Sequence, residues 1–105
     1  MRKMVSQCNT ADFKLIEHLV KSKGDRPSSL TKKQKLAVAA VFAFAHAGLT
    51  FPEIYAIREI IFWDDGTWEY RFHHLPEARA VMARLQTPTV RSAIQSALKD
   101  LGTKQ

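Results

Sequence analysis

The chain has 105 residues, 46% hydrophobic and 25% charged, with one cysteine and a formal net charge of +6. That length sets a single domain as the expectation, and the composition excludes both intrinsic disorder and a small scaffold held together by disulfides. The charge is unevenly placed: residues 1–35 carry nine basic and three acidic side chains, and residues 36–105 carry seven of each. The whole excess lies in the first third, where clustered positive potential would attract phosphates or an acidic protein surface.

Residues 1–9 read as a loose start. No apolar run follows Arg2 and Lys3 as a secretion signal would require, so a cytoplasmic protein is expected. Asn9 or Thr10 can cap a helix reaching about Lys23, with Phe13, Ile16, Leu19 and Val20 on one apolar stripe and Lys14, Glu17 and Lys21 away from it. Gly24 ends this helix, and residues 24–30 carry loop chemistry. Thr31 then caps a second helix with Lys32, Lys33 and Lys35 in its first turns, where their charge opposes the helix dipole. Such a placement suggests that the lysines serve a partner. In the same helix Leu36, Val38, Val41, Phe42 and Phe44 are separated by alanines, so it is expected to be surrounded by other elements. It falls well short of the roughly 20 apolar residues that cross a bilayer.

Gly48 supplies a left-handed helix stop, and Thr50 with Glu53 forms a T-x-x-E capping box with Pro52 in the first turn of a third helix. The spacing of Phe51, Ile54, Ile57 and Ile61 predicts that this helix runs to about residue 60. Asp65-Gly66 is a strong hairpin turn, and residues 67–72 alternate strictly, so residues 60–72 are expected as a hairpin. Trp68, Tyr70 and Phe72 would share one face, and Thr67, Glu69 and Arg71 the other. Pro76 opens a fourth helix that buries Ala80, Val81, Met82, Ala83 and Leu85. Thr87 or Thr89 caps a fifth, with Val90, Ile94, Ala97, Leu98 and Leu101 on its stripe and Gly102 closing it. The expected fold is mainly α: about five helices and one β-hairpin in a single domain, with residues 31–72 as its core and residues 76–101 as a C-terminal helical pair.

Catalytic chemistry finds little material. His73 and His74 are adjacent, so on a strand they point to opposite sides and would not share a metal, and no glycine-rich phosphate loop is present. Asp64 and Asp65 are explained as turn formers. No enzyme activity, metal or cofactor is expected.

A helix ending in Ala47-Gly48-Leu49, followed by a short turn and a capped helix with Ile54 and Ile57 inward, resembles the helix-turn-helix of DNA-binding regulators. The hairpin after it resembles the wing of winged members. Phe44 stands four residues before the turn glycine, where these motifs usually place a small residue. The resemblance implies a transcription regulator that binds DNA, with Thr50, Tyr55 and Arg58 on the reading helix, Arg71 on the wing, and phosphate contacts from Arg26, Lys32, Lys33 and Lys35. It also implies a homodimer, for which residues 89–101 are the candidate interface. The alternative is a non-catalytic protein-interaction module, an accessory subunit, adaptor or inhibitor, which would meet an acidic protein partner through the basic face or present Trp63 and Trp68 as an aromatic anchor.

Overall fold

The computed structural model describes residues 1–21 and 30–100. In chain order they form strand β1 (Met4–Asn9), helix α1 (Thr10–Lys21), helix α2 (Lys32–His46), a single helical turn α3 (Phe51–Ile54), strands β2 (Ile57–Trp63) and β3 (Trp68–Phe72), and helices α4 (Leu75–Leu85) and α5 (Pro88–Asp100). The three strands make one antiparallel sheet in the order β1-β2-β3. The domain is therefore a small α/β unit of five helices and three strands among the described residues, not a helical bundle with a lone hairpin.

Helix starts are written locally. Asn9 and Asp12 exchange reciprocal bonds, the Asn9 amide to Asp12 Oδ2 at 2.8 Å and the Asp12 amide to Asn9 Oδ1 at 3.1 Å. Thr31 does the same with Gln34 at the head of α2, and Thr50 with Glu53 at the head of α3. Each pair satisfies two amides that the first helical turn leaves without partners. The reading of α1 beyond Lys21, including its stop at Gly24, lies outside the described residues, as do Leu101 and Gly102.

Burial explains the arrangement. α2 contributes Leu36, Ala37, Ala40, Val41, Ala43 and Phe44 to the core, and the stripe Val90, Ile94 and Leu98 of α5 is buried with them. Phe13 and Ile16 of α1 complete this layer. α2 is not surrounded on every side, however, because Phe42 is 50% exposed and Ala45 and His46 are exposed beside it. On α4, Ala78, Val81 and Leu85 are buried while Ala80 and Ala83 face solvent.

The sheet lays one face on these helices. Register places Cys8, Ile60 and Tyr70 in one row across the strands and Ser6, Phe62 and Trp68 in the next. Cys8, Ile60 and Phe62 belong to the core, and Trp68, Tyr70 and Phe72 pack against it. The other face carries the rows Asn9, Glu59, Arg71 and Gln7, Ile61, Glu69, followed by Trp63. Of these seven residues only Ile61 is buried, and none joins the cluster that the helices form with the opposite face.

Residues 1–9 are not a loose start, because Met4–Asn9 is paired along β2. The helix expected to reach residue 60 stops at Ile54, and β2 begins at Ile57. Ile60, Ile61 and Phe62 are buried in succession, so with Ile57 they also fit helical spacing, and their β-branched and aromatic side chains suit the sheet that β1 and β3 complete. The hairpin turn is as the sequence implies. The Trp63 amide bonds Thr67 O at 2.8 Å, the Gly66 amide bonds Trp63 O at 3.1 Å, and Gly66 takes φ +85°, which a three-residue hairpin loop requires.

Candidate nucleic-acid interface

The basic candidates come together where β1 hands over to α1. The first turn of α2 lies against this point, since Cys8 Sγ bonds Lys33 O at 3.5 Å and Lys33 Nζ stands 3.5 Å from Asp12 Oδ2. The Thr10 hydroxyl donates to Ile57 O at 2.9 Å. Its proton is thereby committed, so the His73 Nε2 at 2.9 Å is the donor in that contact. Arg58 follows Ile57 at the irregularity of β2, and Arg71 lies in the row Asn9, Glu59, Arg71. Lys32, Lys33, Lys35, Arg58 and Arg71 thus gather at one end of the sheet. Arg26, counted among them from sequence, lies outside the described residues.

These cations are not equally free. Lys33 is paired with Asp12, Arg58 with Glu59 at 3.7 Å, and Arg71 with Glu69 at 3.7 Å. Lys32 and Lys35 are exposed and pair with no described carboxylate. Each arginine is about half open to water, where such bridges contribute little and can be exchanged for a phosphate.

The residues expected to read bases divide between the two caps of α3, Thr50 and Tyr55, and β2, which holds Arg58. α3 is one turn long, and its polar residues are bound within the chain. The Thr50 hydroxyl accepts from the Glu53 amide, and Glu53 in turn receives the Arg84 guanidinium of α4, Nη2 to Oε2 at 2.6 Å. Arg84 also donates to Gly48 O at 3.3 Å, which fastens α4 to the turn between α2 and α3. The Tyr55 hydroxyl donates to Glu17 of α1, and Lys14 lies over the Tyr55 ring. Phe44 is fully buried and meets Tyr70 edge-on with ring centroids 6.0 Å apart. The large side chain at that position fills the space between α2 and the sheet.

The two tryptophans separate. Trp68 lies on the core side and donates from Nε1 to the Tyr70 hydroxyl at 3.0 Å. Burial, partly offset by that bond, pushes the Tyr70 phenol up to about 12. Trp63 lies on the other face, with the Arg2 guanidinium 4.4 Å from its ring centroid and its Nε1 donating to Glu69 at 3.0 Å. The two rings therefore lie on opposite faces of the sheet. On α5, the candidate interface helix, Val90, Ile94 and Leu98 are buried in the chain's own core.

Sequence reasoning missed Arg84, whose role needs the position of α4, and Arg2, whose role needs β1. Burial pushes the Cys8 thiol up to about 12, with Asp12 adding to the rise and Lys33 opposing it. Among the described residues no three His, Cys, Asp or Glu side chains are placed to hold a metal, and no helix is long and apolar enough to cross a membrane. Compared with known proteins, the chain matches no family model, no curated protein and no solved structure.

Proposed function

We propose that the chain is a small non-catalytic DNA-binding protein of the regulator type, which holds the duplex by its phosphates and does not insert a recognition helix. The observation that carries this reading is the convergence of Lys32, Lys33, Lys35, Arg58 and Arg71 at the end of the sheet where β1 enters α1. Lysines and arginines gathered in this way neutralise phosphates and release their counterions, a mode that needs no base contact. From the winged helix-turn-helix resemblance the proposal keeps the hairpin as a wing bearing Arg71. Base reading by Thr50 and Tyr55 is set aside because their hydroxyls are engaged inside the chain. The test is fluorescence anisotropy of a labelled mixed-sequence duplex at several salt concentrations. Affinity should fall steeply with salt, and no binding at low salt would remove the reading.

A protein-interaction module is the second reading, favoured by one observation: Trp63 is partly exposed on a sheet face whose residues lie outside the core cluster. A pull-down that recovers one protein after nuclease treatment, and loses it with Trp63→Ala, would support this reading over DNA binding.

A further inference from the structure

The hairpin determines which backbone groups lie on the outer edge of β1. Trp63 directs both its N–H and its C=O toward the β3 side, and successive residues of an antiparallel strand turn to opposite neighbours. Phe62 and Ile60 therefore turn to β1, and their partners Ser6 and Cys8 turn to β2. Gln7 is left with its N–H and C=O directed away from the sheet, and no described backbone group beyond the strand pair bonds them. Sheets commonly guard such an edge with lysine, proline or a covering segment. Met4–Asn9 contains neither charge nor proline, and Met4 and Val5 are 53% and 43% exposed. A register irregularity between Met4 and Ser6 is its one interruption.

Both ends of this neutral edge are basic. Arg2 and Lys3 precede it, and the first turn of α2, with Lys32 and Lys35 exposed, lies beside its far end through the bond from Cys8 to Lys33 O. Lys3, Lys32 and Lys35 pair with no described carboxylate. A second copy laid antiparallel along β1 would set Arg2 and Lys3 against Lys32 and Lys35 of the other copy, so self-pairing is repelled. Nucleic acid has no row of N–H and C=O groups to match a strand edge.

We propose that β1 takes up an extended segment of another protein by strand addition, and that this segment is apolar or neutral in its middle and acidic at both ends. Main-chain bonds along Gln7 would supply affinity, and the flanking lysines would select the charge of the ends. The inference goes beyond the DNA reading and does not depend on it, although the acidic ends would compete with phosphates for Lys32 and Lys35.

The experiment titrates the ¹⁵N-labelled full chain with a synthetic peptide of alternating valine and threonine between paired acidic ends, about nine residues long. Saturable amide shifts should concentrate on Met4–Asn9, with slowed exchange at the Gln7 amide. N-methylation of the peptide's middle residues, and separately replacement of its acidic ends by lysine, should each weaken binding about tenfold or more. Lys32→Glu with Lys35→Glu should do the same. Because both peptide changes leave the protein unaltered, they do not depend on a variant folding. Unmoved β1 amides at millimolar peptide, equal binding of the N-methylated peptide, or shifts with a DNA duplex and none with the peptide would each overturn the proposal.

Discussion

Arg84 and Glu53 form a two-pronged ion pair, Nη2 to Oε2 at 2.6 Å and Nη1 to Oε1 at 3.3 Å, that ties α4 to the first turn of α3. The guanidinium also reaches Gly48 O, so one side chain holds both the turn and the helical start that follows it. The Arg84 hydrogen bond is the main reason the Glu53 carboxyl titrates at about 2 and not at its ordinary 4.5, with the Thr50 amide second.

A pH dependence follows from that depressed value. The unfolded chain takes up the Glu53 proton near 4.5 and the folded chain only near 2, so the pair's stabilisation is complete above 4.5 and is lost as pH falls through that window. Glu53→Gln keeps an acceptor for the cap and removes the charge. Its melting temperature should lie modestly below the parent's at neutral pH, by less in high salt because both side chains are about one-third exposed. The gap should close toward pH 2, and a gap that persists there would assign the loss to something other than the charge.

Trp68 and Trp63 should respond differently to truncation. Trp68→Ala removes a ring packed on the core and leaves the Tyr70 hydroxyl without its donor, at a cost of up to about 3 kcal/mol. Trp63→Ala removes a ring held by Arg2 on the outer face and should cost about 1 kcal/mol or less. Urea midpoints for the two variants check this. Equal losses would mean that Trp63 is part of the cooperative core.

Cys8 should be silent in the native state. It is fully buried and its thiol is pushed up to about 12, so almost no thiolate exists near neutral pH. Reaction with an aromatic disulfide reagent should proceed at the rate of global opening and accelerate only where denaturant unfolds the chain. Fast labelling under native conditions would place β1 outside the cooperative unit.

For duplex binding, Lys32→Ala with Lys35→Ala should lower affinity on all sequences alike and flatten the salt slope by roughly one for each lysine that meets a phosphate. Thr50→Ala should leave that affinity unchanged, because its hydroxyl works within the cap. A change of sequence preference in the Thr50 variant would reinstate α3 as a reading element.

The helix heads and the hairpin turn were legible because each is decided within a few residues: Thr31, Thr50 and Asp65-Gly66 all act where they were expected. β1 was not legible, because among its six residues only Cys8 is buried, too little for alternation to show. The end of α3 is hidden because Ile57 and the run Ile60, Ile61 and Phe62 of β2 satisfy helical spacing as well. The site residues divide by the same rule. Arg58 and Arg71 were found as exposed cations, whereas the engagement of Tyr55 by Glu17 and of Glu53 by Arg84 joins residues 38 and 31 positions apart. No local pattern announces such pairs.

The bonds between β1 and the rest of the sheet set how the chain must fold. Thr10 reaches Ile57 across 47 positions and Lys3 reaches Asp64 across 61. Helices whose starts are capped by their own side chains can form early, but the sheet gains its third strand only when that long loop closes. Loop closure costs entropy before any contact repays it. The rate of folding should therefore follow the pairing of β1 with β2, and changes at the helix caps should alter mainly the rate of unfolding.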